Sequence, residues 1–152
     1  MSLQSLGRKP GHLIRRCQQI AVSVFLEECA AWDITPVQYA ILSALEDNRA
    51  VEQIRLAGLV AVDRSTMGTV LGRLEARGLV ARRADARDGR VRLVSLTARG
   101  RRLLAGMEAA VARAQRRIAA PLDAAERRTL MRLLGRIAEG NNERSRAPAR
   151  RT

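Results

Sequence analysis

Three groups of side chains in this sequence have the types and spacing to do chemistry. The first is in RRADARDGRVRLVSLT, residues 82–97, where Arg87, Asp88 and Arg90 surround Gly89. A guanidinium donates from a planar fork, and a carboxylate two residues away can hold that fork in one direction, a way to touch a polyanion. The second is in VDRSTMGTVLGRLEARG, residues 62–78, where Ser65, Thr66, Thr69 and Arg73 supply hydroxyls and a guanidinium. Those groups bond phosphate oxygens or base edges. The third is His12, Arg16 and Gln19, with Trp32 further on, a set suited to a small carboxylate beside an aromatic wall. None of the three holds a nucleophile with its base, a glycine-rich phosphate loop or a metal-ligand cluster. No catalytic residue, no metal and no cofactor is expected, and an enzyme is not.

Charge supports the polyanion reading. The chain carries 28 basic and 15 acidic residues among 152, a formal net charge of +13. Residues 1–60 hold six of each, whereas residues 61–106 hold eleven basic against four acidic and residues 107–152 eleven against five. A neutral front and a basic middle point to one face dedicated to nucleic acid. Apolar residues make up 47%, enough for a core, and aromatics only 2%, so that core must be aliphatic. No apolar run is long enough for a membrane span and no signal-peptide pattern opens the chain, so a cytoplasmic protein without membrane contact is expected. Cys17 and Cys29 lie roughly 18 Å apart along one helix, beyond disulfide reach.

The elements that must position these groups are legible in the caps and periods. Residues 11–31 read as a helix with Leu13, Ile14, Cys17, Ile20, Ala21, Val24 and Phe25 on one arc, which makes Cys17 a small buried hydrophobe. Thr35-Pro36 opens a second helix to about Leu45, and a short third spans about 52–60. Asp63 caps a fourth that Gly78 stops. On it Met67, Val70, Leu71 and Leu74 share the core side, and the opposite side is unusually small: Ser65, Gly68, Thr69 and Gly72, with Thr66 and Arg73 at its margins. Each glycine there costs roughly 1 kcal/mol relative to Ala. Segments 79–83 and 91–96 form a hairpin, with Gly89 supplying turn freedom at the tip. Thr97 caps a fifth helix to about 119, a sixth runs from Asp123 to about 139, and a basic tail should be disordered.

This order predicts a mostly α (α+β) fold: a winged helix-turn-helix at 35–97, a dimerisation helix at 10–34, further dimerisation helices at 98–140 and a tail at 141–152. Its second helix enters a major groove while Arg87 and Arg90 reach a minor groove beside it.

Asp88, Arg90, Val94, Leu96 and Thr97 in DGRVRLVSLT form a D-x-R-x-x-x-V-x-L-T pattern that resembles the wing of the MarR family of bacterial transcription regulators. ITPVQYAILSAL (34–45) and residues 62–82 resemble that family's second helix and its recognition helix with the first wing strand, and the resemblance extends over about residues 10–140. It implies a homodimer held by terminal helices, a repressor bound to double-stranded DNA at a palindromic operator, and a small ligand that releases it. It also implies recognition-helix contacts at Ser65, Thr66, Thr69 and Arg73, with Arg90 as the wing arginine. GHLIRRCQQIAVSVFLEECAA resembles members that respond to aromatic acids, which makes an aromatic carboxylate the candidate effector of the His12, Arg16, Gln19 and Trp32 stripe. A solvated or dimer-facing stripe would look the same. The alternative function is a sequence-tolerant architectural DNA-binding protein, for which charge alone suffices.

Overall fold

The computed structural model describes residues 7–150 of the chain. Helix α1 spans Pro10–Glu28, with proline in its first turn, where no N–H is needed. It ends three residues before the expected boundary. The chain there tightens into a 3-10 turn at Ala30–Trp32 and reverses at Asp33, in the left-handed region at φ 51°. Helix α2, Pro36–Glu46, opens on a reciprocal cap: Thr35 Oγ1 accepts from the Gln38 N–H, and Gln38 Oε1 accepts from the Thr35 N–H.

Strand β1, Val51–Glu52, leads into helix α3, Gln53–Leu59, and then helix α4, Arg64–Ala76. Gly78 at φ 69° ends α4, as its position predicts. Strands β2, Val80–Ala84, and β3, Arg92–Leu96, are antiparallel, with Val80 opposite Leu96 and Arg82 opposite Val94. β1 pairs with the free side of β3 through Val51 and Val94, so the sheet has three strands in the order β1-β3-β2. The sequence reading expects only the hairpin, because two residues are too few to show a period.

Helix α5, Ala98–Ile118, starts at Thr97, whose Oγ1 accepts from the Gly100 N–H and donates to the Gly78 carbonyl. A Cβ on Gly100 would collide with the Leu79 carbonyl oxygen, so glycine is what lets α5 start this close to the sheet. Helix α6, Ala124–Gly140, is opened by a capping box between Asp123 and Glu126.

One core serves the lobe. Ile41, Leu42 and Leu45 of α2, Leu56 of α3, Met67, Leu71 and Leu74 of α4 and Val94 of β3 are completely buried. Leu104, Met107, Ala110 and Val111 of α5 extend it. Each such aliphatic side chain stabilises the fold by about 1.5–3 kcal/mol. From α1 only Phe25 is buried, its ring tilted against Tyr39 at 5.7 Å. The C-terminal end of α1 is also clamped to α5 by charge. Glu28 accepts from Arg113 and Arg117 at 2.9 Å each, and Arg117 reaches Glu27 at 2.9 Å. Those bonds, Arg117 first, hold the Glu28 carboxyl below its ordinary range.

Two local readings need correction. Cys17 is exposed and Cys29 is the buried thiol, which burial pushes up in pKa. The arc that carries Cys17 faces outward along most of its length, with Leu13, Ile14 and Ile20 exposed beside it. The segment expected to be disordered forms a 3-10 turn at Asn142–Arg144 and returns to α3, where the Arg150 N–H donates to the Gly58 carbonyl at 2.9 Å. Arg151 and Thr152, the end of that expected tail, lie outside the described residues. Among the described residues no helix is long and apolar enough to cross a membrane.

Candidate nucleic-acid interface

Helix α4 is anchored at its first turn by Asp63. Its Oδ1 accepts from the Thr66 N–H at 2.9 Å and its Oδ2 from the Thr66 hydroxyl at 2.8 Å. These bonds, the N–H first, hold the Asp63 carboxyl below its ordinary range. The Thr66 proton is therefore committed to the cap, leaving its oxygen lone pairs as what it offers outward. Thr69 donates to the Ser65 carbonyl one turn back at 3.3 Å. Ser65, Thr66, Thr69 and Arg73 are all exposed. Val70 is half-buried, at the edge of the buried Met67, Leu71 and Leu74 side. At Gly68 and Gly72 an added Cβ would meet nothing within 4 Å, so internal packing does not call for glycine at either position. What those glycines leave is a shallow outer face on α4.

The wing tip is built by aspartates. Asp85 Oδ1 accepts from the backbone N–H groups of Arg87, at 2.6 Å, and Asp88, at 3.2 Å. These two bonds depress the Asp85 carboxyl. Asp88 Oδ1 accepts from the Arg90 N–H at 3.0 Å and from its Nε at 3.2 Å. The Arg90 side chain is 93% exposed even so, its guanidinium held along one edge and open on the rest. Arg87 is exposed beside it. Gly89 does not take the left-handed conformation. The turn closes through the Asp85 side chain and the Val91 N–H to Asp88 carbonyl bond, so the expected role of Gly89 is corrected.

Two further side chains fix α4, and the sequence reading missed both. Glu75 near the end of α4 holds Arg82 of β2 through bonds of 2.7 and 2.9 Å and accepts the Arg82 N–H at 3.2 Å. That pair sets the wing against the helix, and it keeps the Glu75 carboxyl depressed. Arg77 donates to the carbonyls of Asp33, at 2.6 Å, and Trp32, at 2.9 Å. Charge counting along the chain includes both arginines but carries no sign of these partners. Between α3, α4 and the wing lies a cleft of about 230 Å³, with Ile54, Arg64, Met67 and Arg90 among its walls.

The stripe on α1 is more open. His12 is half-buried, Arg16 and Gln19 are exposed, and the Gln19 amide oxygen accepts from Arg15 rather than Arg16. Trp32 lies further along, its indole nitrogen 3.2 Å from where a Cβ on Gly106 would sit, so the ring packs on α5. Arg77 thus joins the end of α4 to the backbone that carries this ring.

The family model described as MarR family matches residues 34–91. The transcriptional regulator HosA of Escherichia coli O157:H7 is 36% identical over 106 residues, 66% of this chain and 73% of its own length. Two solved structures share the fold over most of their length. The transcriptional repressor CouR, bound to a 23-mer DNA duplex, has a TM-score of 0.85 at 29% identity, over 91% of this chain and 98% of that one. BpsR of Bordetella bronchiseptica, whose DNA binding is regulated by 6-hydroxynicotinic acid, has 0.82 at 32% identity, over 86% and 94%.

Proposed function

The chain belongs to the MarR family of transcriptional regulators, proteins that are not enzymes, and from that footing we propose that it is a homodimeric, cytoplasmic repressor of a palindromic operator, released by a small aromatic acid. The observation that carries the DNA half is the common exposure of the α4 hydroxyl face and of an arginine held at the wing tip by Asp88. Ser65, Thr66, Thr69 and Arg73 meet the major groove, while Arg87 and Arg90 meet the flanking minor groove, where a narrow A·T tract concentrates negative potential. The dimer is supported by exposed apolar residues on both terminal helices: Leu13, Ile14 and Ile20 on α1, and Leu130, Met131, Leu133, Leu134 and Ile137 on α6. Two α4 helices related by a two-fold axis then read half-sites about 34 Å apart.

The effector half rests on the residue types of His12, Arg16 and Gln19 along α1 and of Trp32 beyond its end, and on the aromatic acid that regulates BpsR. Arg77 offers the route by which a shift at Trp32 reaches α4.

Binding of wild type and Arg90→Ala to operators with A·T-rich and G·C-rich flanks, over a range of salt, tests the DNA half. The expected result is a loss of roughly tenfold or more on A·T flanks and less on G·C flanks, one misplaced groove contact being worth ~1–3 kcal/mol. Arg16→Ala should keep the affinity and lose release by 6-hydroxynicotinic acid or a related acid. Equal affinity of the wild type for operator and random DNA would favour architectural binding instead.

A further inference from the structure

The segment after α6 is docked, and where it docks gives it a use. Asn142 closes it into a loop, its Nδ2 donating to the Ala149 carbonyl at 2.9 Å and its Oδ1 accepting from the Ala149 N–H at 2.8 Å. The loop reaches the helix-turn-helix at two places. The Arg150 N–H bonds the Gly58 carbonyl at 2.9 Å, and the stem of Arg150 lies where a Cβ on Gly58 would come within 3.1 Å of it. Arg146 approaches Asp63 Oδ2 at 3.5 Å while its side chain stays 89% exposed. Asp63 is the N-cap of α4, so the segment sits at the end of the recognition helix where the backbone N–H groups point outward.

From this we infer that residues 141–150 form a docked arm that binds DNA phosphates bordering the groove entered by α4. The inference rests on the DNA-binding reading above. Arg144, Arg146 and Arg150 are exposed and Glu143 is the one acid among these ten residues. Arg64 lines both the cleft shared with Arg90 and the small cleft shared with Arg146 and Arg150, so the arm continues a strip of arginines that starts at the wing. Ser65, Thr69 and Arg73 remain exposed with the arm in place, so it leaves the reading face of α4 open. Phosphate is the chemistry this strip fits: a guanidinium bonds it without regard to sequence, and each neutralised phosphate releases condensed counterions.

The test compares the full-length protein with the triple variant Arg144→Ala, Arg146→Ala, Arg150→Ala, measuring operator affinity across salt. Three lost phosphate contacts should make the log affinity against log salt slope shallower by about 2–3 per subunit. Affinity at ~0.1 M salt should fall tenfold or more, while the preference for operator over random DNA stays the same. Asn142→Ala keeps every charge and frees the loop, so it should lose several-fold in affinity through disorder alone. An unchanged slope in the triple variant, or tighter binding, overturns the arm. Full affinity in Asn142→Ala overturns its docked form. Arg90→Ala, run alongside, separates the two readings: if it weakens binding and the triple variant does not, the arm falls and the repressor stands. If the wild type binds neither operator nor random DNA, both fall.

Discussion

Leu71 on α4 and Leu134 on α6 are the same residue type on apolar helix faces, yet one is fully buried and the other 43% exposed. The difference holds for whole regions. In the winged lobe, α2, α3, α4 and β3 close a core within one chain, and its caps, its glycine stop and its Glu75–Arg82 pair are all internal. Of the terminal helices, α5 packs into that core through Leu104, Met107, Ala110 and Val111, whereas α1 buries only Phe25 and α6 buries nothing, although both carry apolar stripes. An apolar stripe left open costs free energy that a second copy can recover. The lobe and α5 close a core within one chain, whereas α1 and α6 leave apolar stripes that, on the dimer proposed above, a second copy covers.

The strongest way to break that comparison is to charge the α6 stripe. Leu134→Glu combined with Ile137→Glu should turn a dimer into a monomer in sedimentation velocity, with the far-UV circular dichroism of the lobe retained. Operator affinity should drop about a hundredfold or more, because two half-sites are then bound by unlinked subunits. A charged variant that still sediments as a dimer would mean that α6 contributes little to association.

A smaller effect sharpens it. Leu71→Ala removes a side chain from a closed core and should cost about 2–5 kcal/mol at any protein concentration. Ile14→Ala trims a side chain that is 44% exposed in the single chain, so its cost arises only in the dimer. That cost should be about 1 kcal/mol at concentrations where the dimer dominates and should shrink towards zero on dilution. Urea unfolding at two concentrations a hundredfold apart checks both. A dilution-independent loss for Ile14→Ala would place that residue in the fold of one chain.

The same division explains what could be read in advance. Asp63, Gly78, Thr35 and Thr97 mark the boundaries of their helices correctly because capping is decided within a few residues. The wing strands were legible for the same reason and lie within one residue of expectation at their starts. The pairs that fix the site are of another kind. Arg77 meets carbonyls 44 and 45 residues earlier, and Arg146 meets the α4 cap from the far end of the chain. No period or cap predicts such contacts. Cys17 failed for a related reason: a helical arc says which residues share a side, while the cover over that side comes from elsewhere. The base-reading and effector roles assigned to α4, the wing and the α1 stripe still rest on residue chemistry and resemblance.

The smallest effect expected lies in the turn between α3 and α4, where Ala61 sits at φ 53°. A left-handed alanine pushes its Cβ towards the following carbonyl and costs roughly 1–2 kcal/mol, which the surrounding turn imposes. That turn is held from within one chain: the Val62 N–H bonds the Ala57 carbonyl at 3.0 Å, and the Arg150 N–H of the C-terminal segment fixes the Gly58 carbonyl at 2.9 Å. Ala61→Gly removes the clash and adds about 0.5–1 kcal/mol of backbone entropy to the unfolded chain. The two oppose each other, and the strain is the larger, so the variant should be more stable by about 0.5–1 kcal/mol. The gain should be independent of protein concentration, since the strain is stored within one lobe. A rise in the urea midpoint with unchanged slope would show it. A gain that appears only in the dimer would tie this turn to the partner chain and erase the boundary between a self-sufficient lobe and helices that await a second copy.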